Sequence, residues 1–195
     1  MKAYTFFTAI PGVDQAFERR LMVEWEKNWK AHGFEPIVLS QNDVRRSPHW
    51  FTGTALFRSL KGGRLDGRSL ACFQRWLAYD AVARHHNSTP TLMMDYDVRN
   101  NGFTPADVSK EAVMFYDSGH LPSVVSTALG GSQQLVQTVL GTVKIAKEAF
   151  IEDSVMFQRN RKHYKAIDVV KDAGAPGWQE AKLIHYYLGG PIPRP

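Results

Sequence analysis

A single cysteine, Cys72, stands in this chain of 195 residues, so no disulfide can form within it. Set inside a helix-like apolar pattern, that thiol reads as a core filler, and a reducing compartment is allowed. Long apolar runs are also missing. No segment approaches the roughly 20 residues needed to span a bilayer. The apolar run from Ala3 to Ile10 stops at Pro11-Gly12 without a cleavage pattern, so it reads as a first strand rather than a signal peptide, and the expected location is the cytoplasm. There is no internal repeat and no low-complexity tract. The net charge is +5 and the pI about 9.3. The basic residues are scattered (Arg19-Arg20, Arg45-Arg46, Arg58 to Arg68, Arg159 to Lys162), with no nucleic-acid-binding motif among them. Nucleic acid is therefore not expected, and a small phosphate-bearing ligand accounts for the excess equally well.

What is present is an ordinary globular composition, 44% hydrophobic and 22% charged, long enough for one domain with a substantial core. Residues 3–10 form an expected strand ending at Pro11-Gly12. Asp14 then opens a helix with Phe17, Leu21, Trp25 and Trp29 at four-residue spacing, stopped by Gly33. Phe34 to Leu39 follows as a second strand, which completes a β-α-β unit. The pattern weakens from Ser40 to Gly67, where one short helix is expected between Pro48 and Leu60. A firm helix runs from Arg68 to His86, with Leu70, Phe73, Leu77 and Ala81 on one face and Arg75 elsewhere on its circumference.

The stretch Thr91-Leu92-Met93-Met94-Asp95-Tyr96-Asp97-Val98 is central. Four residues suited to a buried strand run into two carboxylates one residue apart. Alternation on a strand lets Asp95 and Asp97 lean to the same side, where their oxygens suit a hard divalent cation. Asp is also common where a strand simply turns. Arg99-Asn100-Asn101-Gly102 has the composition of a loop. Thr104-Pro105-Ala106-Asp107 has the form of a capped helical turn. Strands are expected at 112–116, 123–127, 167–170 and 183–187, and helices from Gln133 to about Phe150 and from about Asp153 to before His163. The tail from Gly189 should be loop. Strands alternating with helices imply an α/β/α sandwich with a mostly parallel central sheet, whose ligands sit beyond the carboxyl ends of the strands. Pro11-Gly12, Asp95-Tyr96-Asp97 and His185 could share that crevice.

In its order of features the chain resembles the nucleotide-sugar-dependent glycosyltransferases of the GT-A fold. The resemblance rests on the DxD motif Asp95-Tyr96-Asp97 ending a central strand, the preceding Arg-bearing helix Cys72-Phe73-Gln74-Arg75-Trp76, the segment Gly130-Gly131-Ser132, the pair Glu152-Asp153 and the late His185. It implies a GT-A-like (Rossmann-like) sandwich over 1–195, with 1–100 as the donor half and 101–195 as the acceptor half carrying the strand that completes the metal site. It implies transfer of a sugar from a nucleoside diphosphate sugar to a carbohydrate or other hydroxyl acceptor. Manganese or magnesium would be held by Asp97 and His185, while Asp95 contacts ribose or a metal-bound water.

The resemblance further implies Asp153 as the base that removes the acceptor proton and makes the enzyme inverting; Asp153 is equally placed to cap a helix. Without a base there, configuration would be retained by another route. Donor contacts fall to Pro11, Arg75, Tyr96 and Arg68, with Lys61 a weaker candidate, and acceptor contacts to Gly130, Gly131, Glu152 and Trp178. Ordinary structural roles compete at each: a salt bridge for Arg75, a helix-opening turn for the glycines, core packing for Trp178. Members of this family are usually longer, which leaves acceptor identity the least defined. A haloacid dehalogenase-like phosphatase using Asp95 as nucleophile is the alternative enzyme. Its motif normally lies on the first strand and continues with Thr or Val two places after the second Asp, where this chain has Arg99. A non-catalytic nucleotide-sugar-binding domain is the third reading.

Overall fold

The computed structural model describes residues 1–60, 67–86, 89–117, 122–145 and 153–186. Six strands form the central sheet in the order β2-β1-β3-β6-β5-β7: β1 (Lys2–Phe6), β2 (Glu35–Leu39), β3 (Thr91–Met94), β5 (Val113–Phe115), β6 (Val124–Thr127) and β7 (Lys165–Ala166). β1 pairs in parallel with β2 and β3, and β7 with β5, while β6 runs antiparallel to both β3 and β5. A second sheet orders β4 (Val98–Asn100), β9 (Leu183–His185) and β8 (Val170–Asp172), with β9 antiparallel to β4 and parallel to β8. This is the expected α/β sandwich on a mainly parallel mixed sheet.

The helices are α1 (Gln15–Ala31), α2 (Gln41–Arg46), α3 (Trp50–Ser59), α4 (Gly67–Ala83), α5 (Gly131–Ile145) and α6 (Asp153–Arg159). Asp14 caps α1 by accepting from the amides of Ala16 and Phe17, and Gly33 leaves it at a φ of +86° that few side chains tolerate. Alternation along β3 divides the core. Met93 joins Tyr4, Phe6, Phe73, Leu77 and Leu135 under α4 and α5, whereas Leu92 and Met94 join Ala3, Trp25, Trp29, Val98 and Leu183 under α1. Both faces of β3 are therefore covered, which explains its uninterrupted apolar run. Where β3 meets β6, the Tyr79 hydroxyl bonds the hydroxyls of Thr91 and Thr127 at 2.8 and 2.7 Å and donates to the Thr91 carbonyl at 2.9 Å.

Several boundaries differ from expectation. β1 ends at Phe6, because after Phe7 donates to the Leu39 carbonyl the chain leaves the sheet and turns at Pro11-Gly12. α2 was not expected; Ser40 and Asp43 form a reciprocal capping box that starts it. Val98 to Asn100 is a strand rather than a loop, because β9 supplies its hydrogen-bonding partners. The strand expected at 167–170 is instead two short strands, β7 and β8, in different sheets. The expected helix continuation through 146–150, Tyr187 and the tail lie outside the described residues.

Candidate active site

Parallel pairing of β1 with β3 brings the segment after β1, including the exposed Pro11, and the segment after β3 to the same end of the sheet. Asp95 begins a turn there. Its amide donates to the Ser123 carbonyl at 2.9 Å, and its own carbonyl accepts from the Val98 amide at 3.1 Å. Asp97 leads directly into β4. Antiparallel pairing sets Val98 opposite His185, and the Tyr186 amide donates to the Asp97 carbonyl at 3.0 Å. Two residues nearly ninety positions apart are thereby fixed side by side. Ligand atoms of Asp95, Asp97 and His185 all lie within 4.8 Å of one another.

The imidazole of His185 is buried between two carboxylates. Nε2 stands 3.5 Å from Asp97 Oδ1, and Nδ1 is 3.1 Å from Asp172 Oδ1, the residue in register with it on β8. Burial acts to lower the pKa of the ring, but the hydrogen bond and charge of Asp97, with help from Asp95 and Asp172, raise it to about 9. The pKa of Asp95 is also raised: burial is the main cause, the charge of Arg75 opposes it, Asp97 adds to it, and the value rises to about 6.

Arg75, on the buried side of α4, is not free to meet a ligand. One terminal nitrogen donates to Asp95 and the other to Asp153 Oδ2 at 2.6 Å, the guanidinium lies 4.6 Å above the Trp76 ring, and Trp76 Nε1 donates to the same Asp153 oxygen at 3.1 Å. Asp153 opens α6 and is buried. The residue expected as base and the residue expected as diphosphate contact are therefore ion-paired to each other beneath the site. Four carboxylates (Asp95, Asp97, Asp153, Asp172) converge with one guanidinium. With His185 neutral, the cluster carries net negative charge.

The donor set fits a hard divalent cation: two carboxylates and one imidazole. The three ligand atoms already lie within 4.8 Å of one another and would draw closer together to share one ion.

Other expected residues scatter. The Tyr96 hydroxyl is engaged by another partner: it donates at 2.9 Å to buried Glu18 on α1, and burial together with Glu18 raises its pKa. Glu18 and Asp172 were not anticipated. Arg68 is exposed in the first turn of α4, at the same end as the loop after β1, where Gly67 packs on Ile10. Trp178 lies in a single 3-10 turn, edge-on to Tyr186, the residue after His185, with ring centres 6.3 Å apart. Gly130 and Gly131 are not brought to the site. Thr91 pairs with Thr127, so β6 ends, and α5 begins, at the end of the sheet opposite Asp95. Glu152 and Lys61 lie outside the described residues.

No protein-family model matches the sequence, and no curated protein matches it by sequence. The fold, however, is similar to solved glycosyltransferases. One is a glycosyltransferase involved in glycosylation of the major capsid of PBCV-1, with a TM-score of 0.59 and 11% identity over 94% of this chain and 92% of that one. Mouse xyloside xylosyltransferase 1 gives 0.54 at 9% identity over 99% and 100%. The galactosyltransferase LgtC, solved with donor and acceptor sugar analogues, gives 0.54 at 12% identity over 98% and 88%. The chain thus has the GT-A-like, Rossmann-type fold of these enzymes.

Proposed function

We propose that this protein is a glycosyltransferase that moves a sugar from a nucleoside diphosphate sugar to a hydroxyl acceptor with the help of a divalent cation, manganese or magnesium. The observation that carries the reading is the convergence of Asp95, Asp97 and His185 at the carboxyl end of β1 and β3, the end at which open α/β sheets bind ligands. Asp97 and His185 would hold the cation, which supplies Lewis-acid neutralisation of the departing diphosphate. Asp95, tied to Arg75 through one oxygen, orients ribose or a metal-bound water with the remainder of its carboxylate. Arg68 and the loop containing Pro11 flank the donor position, and Trp178 borders the acceptor side.

Asp153 takes a different part from that of a base. Its Oδ2 accepts from both Arg75 and Trp76, which suits it to hold Arg75 against Asp95 rather than to reach an acceptor hydroxyl. Inversion then rests on a base other than the Asp153 oxygen held by Arg75 and Trp76, and without such a base configuration would be retained. Product stereochemistry by NMR decides this point.

Haloacid dehalogenase-like chemistry is not favoured: Asp95 follows the third strand rather than the first, and Arg75 occupies the carboxylate that would attack. A thermal-shift screen of nucleoside diphosphates and nucleotide sugars, with and without manganese, tests the reading. Stabilisation should need both metal and nucleotide and vanish in Asp97→Ala. If no nucleotide stabilises the protein under any metal condition, the reading fails. A ligand bound without transfer or slow hydrolysis points to a binding domain.

A further inference from the structure

We propose that Asp172 is a positioning residue for the site, holding Nδ1–H of His185 so that the Nε2 lone pair faces Asp97 and Asp95. The inference rests on the metal-holding role given to His185 above. Its own basis is geometric: β8 and β9 are parallel with Asp172 in register with His185, and the Ala173 amide donates to the His185 carbonyl at 2.9 Å, locking the two strands together. Nδ1 lies 3.1 Å from Asp172 Oδ1, while Nε2, on the opposite side of the ring, lies 3.5 Å from Asp97 Oδ1.

A neutral imidazole has one N–H and one lone pair, and an ionised carboxylate only accepts. With a carboxylate on each side, protonated His185 bridges both. Once the ring is neutral, the shorter contact keeps the proton on Nδ1 and leaves Nε2 as donor to a cation. The opposite tautomer would aim an N–H at the ion. Carboxylates in this relation to a metal-ligating histidine fix its tautomer and ring angle, and their removal weakens metal binding about 10- to 100-fold. The Asp172 side chain is 48% exposed, so replacing it opens no void in the core.

The experiment uses the full chain and manganese alone, with free Mn(II) followed by electron paramagnetic resonance. Asp172→Ala and Asp172→Asn should bind about 10- to 100-fold more weakly than wild type. The Asn variant suffers because its amide can donate to Nδ1 and invert the tautomer. Asp172→Glu should recover part of the affinity, and Asp168→Asn, a control at a surface aspartate bonded to Lys171, should bind as wild type. Nitrogen-15 spectra of metal-free protein, taken to a pH at which the spectra themselves show the ring neutral, should show the proton on Nδ1 in wild type and redistributed in Asp172→Asn. A merely structural role would not move that signature. Wild-type affinity in both Ala and Asn variants, or a proton on Nε2 in wild type, overturns the inference. Should wild type bind no manganese, the metal reading of the site falls, and the spectra still decide the role of Asp172.

Discussion

Arg75→Met probes the charge network directly. The Arg75 and Asp153 side chains are each 7% exposed and bonded at 2.6 Å, so removing the guanidinium strands a buried carboxylate. Breaking one side of a buried pair costs about 3–5 kcal/mol. Asp95, a third open to solvent, is partly rescued by water and adds little, which places the loss near the low end, about 3 kcal/mol. At about 2–4 °C per kcal/mol for a chain of this size, Arg75→Met should melt about 6–12 °C lower. Arg75→Lys keeps the charge without the two-pronged geometry and should lose less. The decisive comparison is Arg75→Met with Asp153→Leu: removing both charges should return most of the loss, because apolar replacement of a buried pair is often close to neutral. Urea unfolding followed by tryptophan fluorescence, in chelator at pH 7, gives all four stabilities. A single variant within about 1 kcal/mol of wild type, or a double variant that loses the sum of the two singles, would refute the coupling.

Metal-free stability should depend on His185. Its pKa rises from 6.5 to about 9 on folding, so the native state keeps a proton that the unfolded chain releases in that window. The stabilisation, about 3 kcal/mol, is complete below pH 6.5 and is lost as pH rises through 9. Unfolding free energy in chelator should therefore fall across this range in wild type and not in His185→Gln; equal slopes would sink the argument. The two adjacent glycines should separate by mechanism. An alanine methyl at Gly131 would lie 1.6 Å from the Ala112 carbonyl oxygen, so Gly131→Ala should cost about 3 kcal/mol or more. Gly130 has a φ of +82° and open space, so Gly130→Ala should cost about 1–2 kcal/mol. The reverse order by denaturant titration would contradict close packing at the β5–α5 joint.

The boundaries of α1 are written locally, in Asp14, the four-residue apolar spacing and Gly33, and the buried run before Asp95 announces β3 by composition alone. α2 has a local mark as well, since Ser40 and Asp43 carry the spacing of a capping box. The rest depends on partners distant in sequence. Arg99-Asn100-Asn101 reads as a loop because nothing nearby says that β9 will pair with it. Likewise Asp172 has no local mark, and it reaches His185 only through the register of β8 with β9. Arg75 looks like one more arginine off the apolar face of α4 until carboxylates 20 and 78 residues later close on it.

Strand direction is the deepest of these hidden variables. An alternation of strands and helices suggests parallel pairing throughout, which would bring the segment after β6, with Gly130 and Gly131, to the end that holds Asp95. β6 instead runs antiparallel to β3, so its start, not its end, lies at the site. That reversal removes the glycines and brings Pro122 and Ser123 in their place. The Ser123 carbonyl accepts from the Asp95 amide at 2.9 Å and the Pro122 carbonyl meets Arg75 at 3.5 Å. The backbone that anchors the first aspartate of the motif is therefore supplied by the one strand of the central sheet that runs against both of its neighbours.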